Sequence, residues 1–132
     1  MLATTETARL SDLMTGRVVA PSDPDWDAAR QVFNLALDVQ PAAVAFPRDE
    51  RDVVAAVDYA RHHGLRVAPQ ATGHNAGPLG SLEGTLLVDV RELQEVSIDP
   101  GAQRVRVGAG VKWERVAPQL SEYGLAGLHG SS

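Results

Sequence analysis

Apolar and polar positions follow two rhythms along the chain, one near 3.6 residues and one near 2. The helical rhythm is clearest in PRDERDVVAAVDYARHHGL. There Val53, Val54, Val57 and Ala60 make an apolar stripe, Asp49 stands at the cap, and Gly64 is placed to stop the helix. It recurs in PSDPDWDAARQVFNLAL, with Asp23 as cap, Pro24 at the first helical position and Asp25 beside the positive end of the dipole. Trp26, Ala29, Phe33 and Leu37 then share one face. VKWERVAPQLSEYG repeats the pattern through Trp113, Val116, Ala117 and Leu120 and stops at Gly124. Pro118 lies inside that run, where proline costs a helix about 3 kcal/mol. A shorter helix is expected over residues 8–14.

Short apolar runs at residues 42–46, 66–69 and 85–90 read as strands. Strand, helix and strand with short links predict a parallel pair joined by a right-handed crossover. In EVSIDPGAQRVRVGAG, Val96 and Ile98 alternate with polar residues, as do Val105 and Val107. That predicts a hairpin, with Pro100 and Gly101 at the centre of a type II turn. The expected fold is α+β with an α/β-like strand–helix–strand unit and flanking helices.

Composition narrows the function classes. The chain has 132 residues, enough for one core, and a net charge of −5 with a single lysine, Lys112. Phosphate-backbone binding draws on clustered Lys and Arg, so nucleic acid and anionic membrane are not the expected partners. No cysteine is present, which excludes a disulfide framework, a thiol nucleophile and a Cys-ligated metal within these residues. No apolar run reaches the ~18 residues of a membrane span. The first residues lack a secretory pattern, so a cytoplasmic location is the expectation.

Candidate chemistry concentrates in APQATGHNAGPLG. Glycines at 73, 77 and 80 let a ligand approach the main chain, and successive N–H groups in such a turn converge on an anion. The loop from Gln70 to Gly80 has no Asp or Glu to repel phosphate and no Lys to bind it. A solvated connector of the same composition is the competing reading. His74 could serve as general base, metal ligand or nucleophile, or bond its own loop. No second ligand stands at metal spacing, and no G-x-S-x-G elbow supports a serine triad. GAGVKW follows a strand and opens a helix, yet Trp113 occupies the place of the third glycine of a dinucleotide fingerprint. His62 and His63 close a helix, where they complement its negative end.

PAAVAFP, DVVAAVDYARHHGL, RVAPQATGHNAG, LLVDVRELQEVSIDPGAQRVRVGAGVKWERV and GLAGLHGSS occur in that order. Together they resemble the N-terminal half of the flavin domain of FAD-linked oxidases. The family is the vanillyl-alcohol-oxidase and p-cresol-methylhydroxylase (PCMH) superfamily, berberine-bridge-enzyme-like branch. The resemblance implies the N-terminal subdomain of a PCMH-type FAD-binding domain with a small mixed sheet. It covers residues 25–132, with 1–24 an extension. It implies FAD as cofactor, held by Gln70, Ala71, Thr72, Gly73, His74, Asn75, Ala76 and Gly77, and by a second loop with Gly130, Ser131 and Ser132. It also implies a covalent bond from His74 to a methyl carbon of the flavin.

Two departures bear on this. Thr72 adds a side chain where relatives often carry glycine. Ser132 stands where doubly linked members carry cysteine, so a single tether is expected. The resemblance further implies a small-molecule substrate, an alcohol, sugar or amine, bound by a substrate domain outside these residues, with oxygen as acceptor. The chain is accordingly expected to be the N-terminal piece of something longer, inactive alone, with no catalytic residue of its own. Two alternatives stand beside it: a non-covalent flavoprotein reductase of the same fold, and a non-catalytic α/β nucleotide-binding or interaction module.

Overall fold

The computed structural model describes residues 4–128. Residues through Glu92 form one compact unit and those from Leu93 a second.

The first unit is built on a four-stranded sheet in the order β1-β2-β4-β3, comprising β1 (Arg17–Val19), β2 (Ala43–Phe46), β3 (Arg66–Gln70) and β4 (Thr85–Asp89). β1 runs antiparallel to β2, while β2 and β3 are each parallel to β4. The central strands β2 and β4 are buried at every residue, as expected of strands covered on both faces. β3 is an edge strand, which needs backbone donors on one side only, and so it tolerates Pro69. The expected parallel neighbours, 42–46 and 66–69, are parallel but not adjacent, because β4 inserts between them.

Helix α1 (Thr4–Leu13) precedes β1, and α2 (Trp26–Ala29) is a single turn. α3 (Glu50–His62) links β2 to β3 and is capped as predicted, with the Asp49 carboxylate accepting from the amides of Arg51 and Asp52. It ends at Gly64 (φ 65°), with Leu65 N–H donating to the Ala60 carbonyl. The His62 and His63 rings hydrogen-bond through Nδ1 to the carbonyls of Asp58 and Tyr59 at 2.7 and 2.8 Å.

The buried face of α3 is Asp52, Ala56, Tyr59 and Ala60, not the valine stripe; Val54 and Val57 are exposed. Asp52 sets this rotation. Its carboxylate accepts from the amides of Thr15 (2.8 Å), Gly16 (2.9 Å) and Arg48 (2.9 Å) and from the Thr15 hydroxyl (3.0 Å). Burial pushes its pKa up, but these donors outweigh that and hold it below the ordinary carboxylate value. Gly16 is required there, since a Cβ would fall 1.9 Å from the Phe46 carbonyl oxygen.

On one side of the sheet, Val44, Phe46, Ala68 and Leu87 pack with Ala29, Val32, Val39, Ala76 and Leu82, flanked by Trp26 and Leu37. The helix expected from residue 24 to 37 stops after α2. Asn34 accepts from the Ala36 amide through its side chain, a local bond that competes with helix. Arg30 closes the turn by donating to Asp27, Asp38 and the Val39 carbonyl. Phe33 is therefore exposed, whereas Trp26 and Leu37 reach the core.

The second unit holds the hairpin β5 (Val96–Asp99) and β6 (Arg104–Val107), in the register Asp99↔Arg104, and α4 (Trp113–Ser121). The turn is not type II. Gly101 does not have positive φ; Gln103 does, at 53°, and the Asp99 carboxylate accepts from the Ala102 amide. In α4, Val116 and Leu120 are buried and Ala117 is exposed. Pro118 is accommodated inside the helix.

Candidate functional site

Parallel strands need a crossover, so the chain leaving the carboxyl end of β3 must return to the amino end of the neighbouring β4. The glycine-rich loop makes that return, which places Gln70 and the residues after it at the carboxyl ends of the parallel strands. Open α/β sheets bind ligands at that edge. The backbone continues the β3–β4 ladder once more, with Val90 N–H donating to the Gln70 carbonyl at 2.8 Å.

Within the loop the expected residues divide by role. Gln70 is buried at the end of β3 and directs its amide toward the Gln31 carbonyl at 3.4 Å. Ala76 is buried in the core and donates its N–H to the Gly73 carbonyl at 3.3 Å. Both support the loop from behind. Ala71, Thr72, His74 and Asn75 form an exposed rim. Gly73 takes φ 70°, and Gly77 opens a 3-10 turn over Gly77–Leu79. The amides of Ala71, Thr72, Gly73, His74 and Asn75 donate to no acceptor among the described residues.

These residues, with Pro69 and Leu79, line a concavity of about 200 Å³. That is below the ~300 Å³ at which drug-sized ligand sites begin, so by itself it is too small to enclose a whole dinucleotide. No Asp, Glu, Lys or Arg lines it, and main-chain N–H groups stand there beside the polar side chains of Gln70, Thr72, His74 and Asn75. His74 stands on the same rim, and its Nδ1 lies 2.7 Å from the Thr72 hydroxyl.

A family model described as an FAD binding domain matches residues 41–131. The chain belongs to this FAD binding domain family. (R)-6-hydroxynicotine oxidase of Paenarthrobacter nicotinovorans is 28% identical over 115 residues, covering 87% of this chain and 25% of that protein. Glucooligosaccharide oxidase of Sarocladium strictum is 30% identical, covering 80% and 22%. Among solved structures, 6-hydroxy-D-nicotine oxidase from Arthrobacter nicotinovorans superposes with a TM-score of 0.80 at 27% identity, over 98% of this chain and 27% of that one. Wild-type BBE-like 1 of Physcomitrella patens gives 0.76 at 28% identity, over 92% and 26%. This FAD-binding chain thus has the PCMH-type fold and FAD-linked oxidoreductase relatives. It spans a quarter or less of the length of the first curated relatives it matches, 14% and 25%.

Gly130, Ser131 and Ser132 of the expected second loop lie outside the described residues. The fingerprint-like GAGVKW has a packing explanation, since a Cβ on Gly108 would fall 2.2 Å from the Leu93 carbonyl oxygen. Sequence reading missed Val32 and Gln31, which back the loop at Gly73 and Gln70. They are some forty positions away and sit in a stretch whose periodicity mimics a helix. No helix among the described residues is long and apolar enough to cross a membrane.

Proposed function

We propose that this chain is the pyrophosphate-holding part of an FAD-dependent oxidase and that His74 carries the flavin covalently. Residues 25–132 are then the N-terminal part of the FAD-binding domain, and 1–24 an extension. The observation that carries the reading is the row of amides from Ala71 to Asn75 that donate to no acceptor among the described residues, in the same loop as an exposed imidazole. Ala71 to Asn75 hold the diphosphate by main-chain N–H groups. Gln70, Ala76 and Gly77 fix the loop, and Gly130, Ser131 and Ser132 are further FAD-binding residues of this reading.

When bound, the flavin supplies two-electron acceptance from substrate. A neutral imidazole nitrogen carries a nucleophilic lone pair, which suits His74 to a tether. The substrate is a small alcohol, sugar or amine held by residues beyond these, and oxygen takes the electrons. Relatives named for a hydroxynicotine and for glucooligosaccharides support that range. Residues 1–132 alone lack positioning and water exclusion over the flavin, so they are inactive alone.

The test is calorimetric titration with ADP, combined with acid precipitation of the full chain expressed with ample riboflavin. ADP binding and acid-stable flavin are expected. In His74→Ala, ADP binding persists and acid-stable flavin disappears. No ADP binding by a folded protein contradicts the cradle. Acid-stable flavin unchanged in the variant contradicts the tether.

A further inference from the structure

We propose that the cavity between Trp26 and Glu83, at the amino edge of the sheet, is a second ligand site that takes a small free alkylammonium ion. It is independent of the flavin reading. β2 and β4 run parallel, so Ala42 and Gly84, which precede them, lie at the edge opposite the one where Gln70 ends β3.

The cavity measures about 420 Å³, within the range of small-molecule sites. Pro21, Trp26 and Pro41 give it apolar walls, and Gln40 and Glu83 add polar groups. Glu83 is held through its backbone. Its carbonyl accepts from the Arg66 guanidinium at 2.7 Å and from the Thr85 hydroxyl at 3.4 Å. On either side the turn is pinned by amides, with Gln40 N–H donating to the Ser81 carbonyl at 2.6 Å and Arg66 N–H to the Gly84 carbonyl at 3.0 Å. Leu82 and Gly84, the two neighbours of Glu83, both take positive φ, 61° and 64°. That conformation is costly for leucine, which is kept in it by a side chain buried in the core, and strain of this kind collects at ligand clamps. The Glu83 carboxylate, by contrast, has no partner among the described residues. A fixed backbone thus presents an unspent negative charge beside an aromatic wall.

Chemistry selects the occupant. A carboxylate near an indole attracts a cation, through its charge and through the negative face of the ring. The Arg30 guanidinium stands 6.0 Å from the Trp26 ring centre, but its charge is already met by Asp27 and Asp38. A metal ion needs several oxygen ligands, which one carboxylate and the Gln40 amide do not supply. Alkyl groups on the cation leave water for the proline and indole surfaces, a gain that a bare ion lacks. At long range the net charge of −5 also favours a cation over an anion.

The test uses the full chain, isotope-labelled and titrated by NMR with tetramethylammonium chloride, against sodium chloride at equal ionic strength. The chain has two tryptophans, so Trp113→Phe assigns the indole N–H signals. A saturable shift of the Trp26 signal, absent with sodium, is expected. Glu83→Gln changes an exposed side chain and keeps the backbone bonds of the turn; it is expected to weaken binding about fivefold, the worth of one exposed ion pair. Choline is expected to bind about fivefold more tightly than neohexanol, its uncharged isostere, for the same reason. No saturable shift with tetramethylammonium overturns the proposal, as do equal affinities for choline and neohexanol or an unchanged affinity in Glu83→Gln. Phosphatidylcholine vesicles separate a lipid headgroup from a free ion: the chain is expected to stay in the supernatant, and sedimentation that Glu83→Gln abolishes would overturn the free ion as occupant.

Discussion

Gly73 and Gln70 are packed so closely that a Cβ on Gly73 would stand 3.0 Å from the Gln70 side-chain amide carbon. The same Cβ would lie 3.3 Å from the Val32 Cα, on a residue with φ 70°. Gly73→Ala therefore strains the loop by about 1–3 kcal/mol. Calorimetry with ADP is expected to show affinity lowered about tenfold or more, because the bound loop shape must be recovered at that cost. Far-UV circular dichroism of the variant stays at the wild-type level.

Asp52 ties α3 to the segment before β1 through the Thr15, Gly16 and Arg48 amides. Its pKa is lowered on folding, below an unfolded value of about 3.9. Its contribution is thus fully present above that value and is lost as pH falls through the folded pKa. Urea unfolding at descending pH should show stability falling below about pH 4. Asp52→Asn should remove about 2–4 kcal/mol at pH 7 and flatten the acid limb.

Arg91 covers a fully buried carboxylate. Its Nε and Nη2 donate to the two Asp89 oxygens at 2.9 and 2.6 Å, and its guanidinium lies 5.3 Å from the Phe46 ring centre. The Arg91 pKa is raised, first by these hydrogen bonds to Asp89. Arg91→Ala leaves a buried charge unpaired and is expected to cost about 3 kcal/mol. Arg91→Ala combined with Asp89→Asn should cost less than the sum of the two, which a double-mutant cycle in urea measures.

Gln103 holds φ 53° in the β5–β6 turn, a conformation that penalises a side chain by about 1–2 kcal/mol. Gln103→Gly is expected to raise thermal stability by about 1 kcal/mol. Gly101→Ala, whose Cβ would meet only Asp99 Oδ1 at 3.5 Å, is expected to be nearly neutral. A larger loss at Gly101 than at Gln103 would restore the type II turn read from Pro100-Gly101.

Much of this architecture is legible in the residues because several signals are local. Asp49 and Gly64 mark α3 by capping chemistry, and the apolar run at 85–90 marks β4. The loop after β3 announces itself by glycine content and by the lack of carboxylates. What stays hidden depends on partners distant in sequence. β1 is only Arg17–Val19, and it is a strand because β2 pairs with it. Val53, Val54 and Val57 outrank alanine in hydropathy, yet the four donors on Asp52 turn α3 so that Ala56 and Ala60 face inward. The spacing of Trp26, Ala29, Phe33 and Leu37 fits a helix, but Asn34 and Arg30 spend their side chains on closing a loop. The entry of β4 between β2 and β3 leaves no trace in local periodicity. At the site, His74 and the glycines are readable, while the backing by Val32 and Gln31 follows only from the folded chain.

The most direct measurement is the mass of the peptide Val67–Arg91, which trypsin releases whole because no Lys or Arg lies between Arg66 and Arg91. From acid-denatured full chain grown with ample riboflavin, this peptide should carry the mass of FAD, with fragmentation placing it on His74. The unmodified peptide as the only species, with every flavin free in the acid supernatant, would contradict the tether at His74.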